Sequence, residues 1–360
     1  MLLKCGRPLL RHTDVPPRVT ESFILTGYRF PNYSLRDCLL SAFRPTNETG
    51  NFWTHFLPVF VFSYRFAEVF GWEGAPPGGS PFFYPLWTYV AGVFALLMAS
   101  CAAHLLNSMS LVVREVCFFV DYGSISAYTF GSSLAYYYYI HPRAGLGEAA
   151  EERGGPRVFF ETLYLPSAAL VAVICALSCC NTRQGWRKHR YLIRTFVFLL
   201  PFFISTTPIF YRLLTRSPYS NAAAASLAAS ASGEGFFYRH CFWLLLSAVL
   251  NISKVPERLA PGRFDIMGHS HQWFHCCTFL SILDELEMIK SEIRAILLSP
   301  ALQLPPATPS PPGPTAASTF GVMLLLQTTI ISIIVRFSWH ANCMYGSERR
   351  ELDKEPLKEH

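Results

Sequence analysis

The stretch YPLWTYVAGVFALLMASCAAHLLN, residues 84–107, runs for 24 residues without an Asp, Glu, Lys or Arg. An apolar helix of about 20 residues crosses the roughly 30 Å hydrocarbon core of a bilayer, so this stretch reads as a transmembrane span. Two polar groups interrupt its end: Ser100 and His104, four positions apart and therefore on one helix face. An ionisable side chain inside a span is costly, and its default reading is functional, with partners nearby.

The composition extends this reading to the whole chain. Hydrophobic residues make up 51%, charged residues 15%, and the mean hydropathy is +0.27, whereas soluble domains carry about 25% charge. This excludes a single soluble core and predicts an all-α integral membrane protein. Seven spans are expected, over 52–71, 84–107, 116–139, 158–180, 191–214, 236–254 and 268–289, with an eighth over 318–338. Interfacial aromatics bracket them: Trp53, Trp72, Trp87, Tyr136 to Tyr139 and Trp339. Pro201 and Pro208 are expected to kink the fifth. The first 30 residues hold no apolar run of signal-peptide length, so the first span is expected to act as the targeting signal. The chain then divides into an N-terminal segment (1–51), a seven-span core (52–289), a proline-rich linker (290–317), the eighth span and a polar tail (339–360).

Orientation follows from the Lys and Arg residues. Of the 30, with Arg212, Arg239, Lys254 and Arg336 at span ends counted with the loops they adjoin, one side of the spans receives 20 and the other 8, leaving Arg65 and Arg194 inside spans. The excess side is expected to be cytosolic, which puts both termini in the cytosol if the eighth segment crosses, and the tail outside if it does not. This topology brings four groups to similar depth near the inner leaflet: His104, Asp121 in CFFVDYGS, and His271 and His275 in GHSHQWFH.

His271 and His275 also share a helix face. Neutral imidazole is the commonest metal ligand, and three protein ligands plus water suit zinc, although the same set accepts other divalent ions. His104, His271 and His275 are the expected ligands. Asp121 would hold or deprotonate the water, or orient a ligand; Ser100 would hydrogen-bond the water, a substrate carbonyl or a developing oxyanion. The alternative is that each histidine bonds a helix neighbour within a polar patch.

Other features carry less chemistry. His269 falls on a different face and is expected at the interface; His240 and Arg239 are expected among headgroups; Asp284, Glu285 and Glu287 are expected to form a solvated rim rather than a pore lining. The 11 cysteines lack CxxC spacing, which points to free thiols, and Cys276 and Cys277 read as packing residues. Two sequons, at Asn47 and Asn251, fall on the cytosolic side and are expected to be unmodified. Residues 221–235 and 300–314 read as linkers, and 19–43 as an amphipathic helix on the inner leaflet. The net charge of +6 follows from topology and gives no reason to expect nucleic acid.

Four ordered strings, PTNETGNFWTH (45–55), the SxxxH of Ser100 and His104, FVDYGS (119–124) and KVPERLAPGRFDIMGHSHQWFH (254–275), resemble the progestin and adipoQ receptor family. The resemblance covers about residues 20 to 290. It implies a seven-helix bundle like that of adiponectin receptors, with a cytosolic N terminus and an inward zinc site on His104, His271 and His275, Asp121 beside it. It also extends to alkaline ceramidases, through the same Ser, Asp and HxxxH pattern. Two functions follow as expectations: a plasma-membrane receptor for a steroid or other lipid ligand, signalling to a cytosolic partner such as a heterotrimeric G protein, or a zinc hydrolase acting on a ceramide-like amide. A transporter or channel is a third reading, opposed by charges that trace no path across the bilayer.

Overall fold

The computed structural model describes residues 8–29, 31–141, 158–186, 189–215, 223–298 and 313–352. Among these residues the architecture is helical, apart from one isolated bridge between Leu10 and Tyr28. The helices are α1 (Leu35–Ser41), α2 (Thr49–Phe70), α3 (Tyr84–Leu106), α4 (Leu111–Tyr139), α5 (Tyr164–Gln184), α6 (Arg190–Ser205), α7 (Thr207–Thr215), α8 (Ala223–Ser253), α9 (Ser270–Leu298) and α10 (Val322–Leu352).

Among the described residues, four segments are long and apolar enough to cross a membrane: Pro81–Leu106, Phe159–Gln184, Gly233–Ser253 and Ala317–Gly346. The pair α6 and α7 makes a fifth if its halves count together; they meet at a bend of 54°, next to Pro201 and Pro208, which remove helix donors. The expected spans over 52–71, 116–139 and 268–289 coincide with α2, α4 and α9, helices of 22, 29 and 29 residues whose polar content takes them outside that composition. Large apolar side chains stand exposed on α2, α5, α6, α8 and α10, Phe60, Leu170, Phe196, Leu245 and Leu325 among them. Such a belt is what lipid contact requires.

Small residues set the distance between α3 and α4. A Cβ added at Gly92 would lie 2.7 Å from the Tyr128 Cα, and one at Gly131 would lie 2.8 Å from the Thr88 carbonyl oxygen. The two backbones therefore touch where glycine faces backbone, a recurrent device in membrane helices. This contact fixes the relative position of His104 on α3 and Asp121 on α4.

Four expectations are corrected. Residues 19–43 are helical only in α1: Phe23 and Asn32 have φ of 66° and 60°, Pro31 intervenes, and the Asp265 carboxylate accepts from the Leu25 and Thr26 amides, which anchors an extended chain. The alanine-rich stretch read as a linker is helical from Ala223 onward, in keeping with alanine's helix propensity. The linker expected over 300–314 lies almost wholly outside the described residues. At its other end, α10 continues to Leu352, into the segment expected as a polar tail.

The third correction concerns charge. Glu285 is 2% exposed, and its carboxylate accepts hydrogen bonds from the hydroxyls of Tyr89, Tyr128, Ser132 and Tyr136. It is an interior hub, not a rim. Its neighbours do pair off: Asp284 with Arg239 at 2.7 Å, and Glu287 with Arg65 at 2.7 Å and Lys290 at 3.2 Å. His240 is also buried, with Nδ1 2.8 Å from the Ser281 carbonyl, instead of facing headgroups.

Candidate metal centre

The site is assembled from the end of α3, the start of α9 and the start of α2. The loop before α9 is held by its own polar residues: Glu257 accepts from the Ser270 amide at 2.7 Å, and Gln272 accepts from the Gly268 amide at 2.7 Å. This clamps the first turn of α9 and points His271 and His275 inward. From the other side, Arg29 donates to the carbonyls of His104 and Leu105, at 2.7 and 2.6 Å, at the C-terminal end of α3 where carbonyls lack helical partners.

His104, His271 and His275 each offer one ring nitrogen within a set whose members all lie within 4.8 Å of one another. Nε2 of His104 and Nε2 of His271 are 3.3 Å apart. In His104 and His275 the opposite nitrogen is committed elsewhere. Nδ1 of His104 donates to Glu48 at 2.7 Å, and Nδ1 of His275 faces the Thr54 hydroxyl at 3.0 Å and the Asn51 carbonyl at 3.2 Å. Committing Nδ1 to an oxygen acceptor fixes the tautomer that leaves Nε2 with a lone pair. Two imidazole nitrogens this close share either a proton or a cation, and with the third ring within 4.8 Å the donor set fits a divalent metal ion.

Glu48 anchors the surrounding shell. It is 8% exposed and accepts from Asn51 at 2.8 Å and from Asn107 at 2.7 Å. Burial alone raises its carboxyl pKa, but His104, Arg29 and Arg114 hold it well below the usual carboxylate range. His55 stacks on His275 with ring centroids 3.8 Å apart, and neither of its ring nitrogens has a hydrogen-bond partner. None of Glu48, Asn51, Thr54 and His55 was assigned a role from sequence, although all four lie in the string 45–55. Their signal was a buried acid and amides ahead of a span, which becomes readable only once α2 is placed against α3.

Ser100 and Asp121 line the same cavity as the three imidazoles. Its volume is about 240 Å³; Leu96, Phe118, Ile125, Phe198 and Leu244 supply apolar wall, Glu285 and Ser132 lie among its polar lining, and so do Arg190, Arg194 and Lys254. His269 stays apart from the cluster: it is buried, with Nε2 3.2 Å from the Asn47 carbonyl. Among the described residues no cysteine is disulfide-bonded.

Comparison with known proteins adds a family to this geometry. The haemolysin-III related family matches residues 43–284. The chain is 36% identical to the membrane progestin receptor delta of Mus musculus over 293 residues, 79% of each chain. It is 34% identical to the membrane progestin receptor gamma of Homo sapiens over 292 residues, 80% of this chain and 82% of the other. Against the membrane progestin receptor gamma-B of Danio rerio the identity is 29% over 355 residues, 94% of each.

Proposed function

This chain belongs to the haemolysin-III related family, and on that premise we propose that it is a plasma-membrane receptor for a progestin-like steroid, with a zinc site facing the cytosol. One observation carries the reading: a cavity whose surface is mostly apolar, with polar and charged side chains among its lining, opens directly onto the three histidines. A rigid polycyclic lipid suits such a cavity. The receptor names of the relatives support the choice of steroid. Two strings, AYYYY (135–139) and NISKVPERL (251–259), resemble the epsilon type of membrane progesterone receptor. The proposed topology has eight spans, α2, α4 and α9 included, with both termini in the cytosol, and a heterotrimeric G protein is the cytosolic partner to test first.

Bound ligand acts by favouring one packing of the helices over another, and it shifts that balance only by its difference in affinity for the two. Because α3 and α9 carry the histidines, a change in their packing reaches the loop 254–269 and the N-terminal segment, which are tied to each other through Asp265.

A second reading is favoured by Ser100 and Asp121 lining the cavity beside the imidazoles. Zinc, when bound, would polarise an amide carbonyl and lower the pKa of a water. In amide hydrolysis Asp121 accepts a proton from the attacking water and returns it to the amide nitrogen, the Ser100 hydroxyl donates a hydrogen bond to the carbonyl oxygen as charge develops there, and the C–N bond breaks to release the amine and the carboxylic acid. Steroid binding and ceramide turnover by purified intact protein and His275→Ala decide between the readings. Saturable steroid binding with no turnover of any ceramide supports the receptor. Turnover abolished in His275→Ala with binding retained supports the hydrolase, and absence of binding by intact protein overturns the receptor.

A further inference from the structure

A second hollow, of about 190 Å³, lies where residues 17–21, the start of α4, the end of α5 and the start of α6 converge. We propose that it binds a phosphate group. Its wall contains Arg18, Arg114, Arg183, Arg190 and Arg194 against Glu21 and Glu115. Five guanidinium groups facing two carboxylates leave a surplus of three positive charges.

The way these arginines are held leaves that surplus in place. Glu115 is taken by a two-pronged contact from Arg183, at 2.6 and 2.8 Å. Arg190 and Arg194 are positioned by hydroxyls, those of Tyr191 and Thr182, each at 2.7 Å. A hydroxyl fixes a guanidinium without neutralising it.

Arg114 is the decisive residue. It is 2% exposed, its Nε has no hydrogen-bond partner, and its contacts to Glu21 and the Val19 carbonyl are long, at 3.4 and 3.5 Å. A buried charged donor left unsatisfied is strongly unfavourable. The hollow it lines, of about 190 Å³, has room for several waters or for one phosphate ester. Several arginines around one point match the spread oxygens and double charge of a phosphate monoester better than a carboxylate.

By the Lys and Arg distribution this end of the bundle faces the cytosol. A phosphorylated inositol lipid of the inner leaflet and free phosphate present the same chemistry there. The inference stands on the arginines alone and does not depend on the steroid reading. Glu21, Arg183, Arg190 and Arg194 also line the larger cavity, so an occupied hollow would firm the wall of the site described above.

The test uses the full chain. In detergent, the apparent unfolding temperature is followed against inorganic phosphate, with sodium chloride at matched ionic strength as control. In parallel it is followed in phosphatidylcholine nanodiscs with and without phosphatidylinositol 4,5-bisphosphate. A ligand that binds the folded state raises the midpoint in a saturable way. A rise with inorganic phosphate identifies a free anion, and a rise only with the inositol lipid identifies the headgroup; either supports the site. Arg194→Gln, alone and with Arg114→Gln, is expected to weaken the response about tenfold or more. The single variant keeps the test open if the double does not fold. No response to either probe beyond the salt control, or an undiminished response in Arg194→Gln, overturns the proposal.

Discussion

Nδ1 of His104 lies 2.7 Å from Oε2 of Glu48, whose carboxylate is held in turn by the amides of Asn51 and Asn107. That carboxylate orients one imidazole of the candidate centre and raises its basicity. Glu48→Gln is therefore expected to weaken metal binding about 10- to 100-fold while leaving all three histidines present. Competition against a zinc chelator measures this. A loss smaller than about twofold would remove Glu48 from the site.

The α3–α4 contact gives a stability prediction in which two effects oppose. Replacing Gly131 by Ala improves helix propensity by about 1 kcal/mol, but the new methyl meets a backbone carbonyl oxygen at 2.8 Å, and overpacking of this kind costs about 1–3 kcal/mol. Backbone cannot move aside as a side chain can. Gly131→Ala should lower the unfolding midpoint, and Gly92→Ala should do the same; a higher midpoint in either would contradict the close approach.

Glu285 satisfies four hydroxyls at once. Glu285→Ala strands them in the interior, and with buried unsatisfied groups costing about 1–3 kcal/mol each, partial relaxation still leaves an expected loss of about 3 kcal/mol. Glu285→Gln, which keeps one acceptor oxygen, should fall between this variant and the natural protein. Equilibrium unfolding in mixed micelles reads both. Equal stability of all three proteins would restore the solvated-rim reading.

The sequons give a test of burial as well as orientation. Asn47 is 6% exposed and Asn251 is 9% exposed, so neither presents its amide to a glycosyltransferase in the folded chain. Expression in a eukaryotic secretory system should give a band whose mobility is unchanged by glycosidase and by Asn47→Gln. A glycosidase-sensitive shift lost in that variant would reverse the proposed orientation.

What could be read from sequence follows the reach of each interaction. The His104, His271 and His275 set was legible because each residue is conspicuous in an apolar stretch and helical spacing aligns the last two. Glu48 was not, since its partner stands 56 residues away and it precedes a span, where an acid looks ordinary. Glu285 was misread for a related reason: α9 runs to Leu298, past the expected end at 289, so a residue read as near the rim sits well inside the helix. The bend between α6 and α7 was foreseeable from two prolines. The extended run before α1 depends on Asp265, 240 residues from Leu25, and no local pattern announces it.

The central claim is that three imidazoles from α3 and α9 hold one ion. Elemental analysis of the detergent-purified chain, alongside His104→Ala, His271→Ala and His275→Ala, tests it most directly. About one zinc per chain is expected, reduced to background in each variant. A chain purified without chelators that carries no metal, or a zinc content unmoved by all three substitutions, would contradict it and leave the cluster as a buried polar patch.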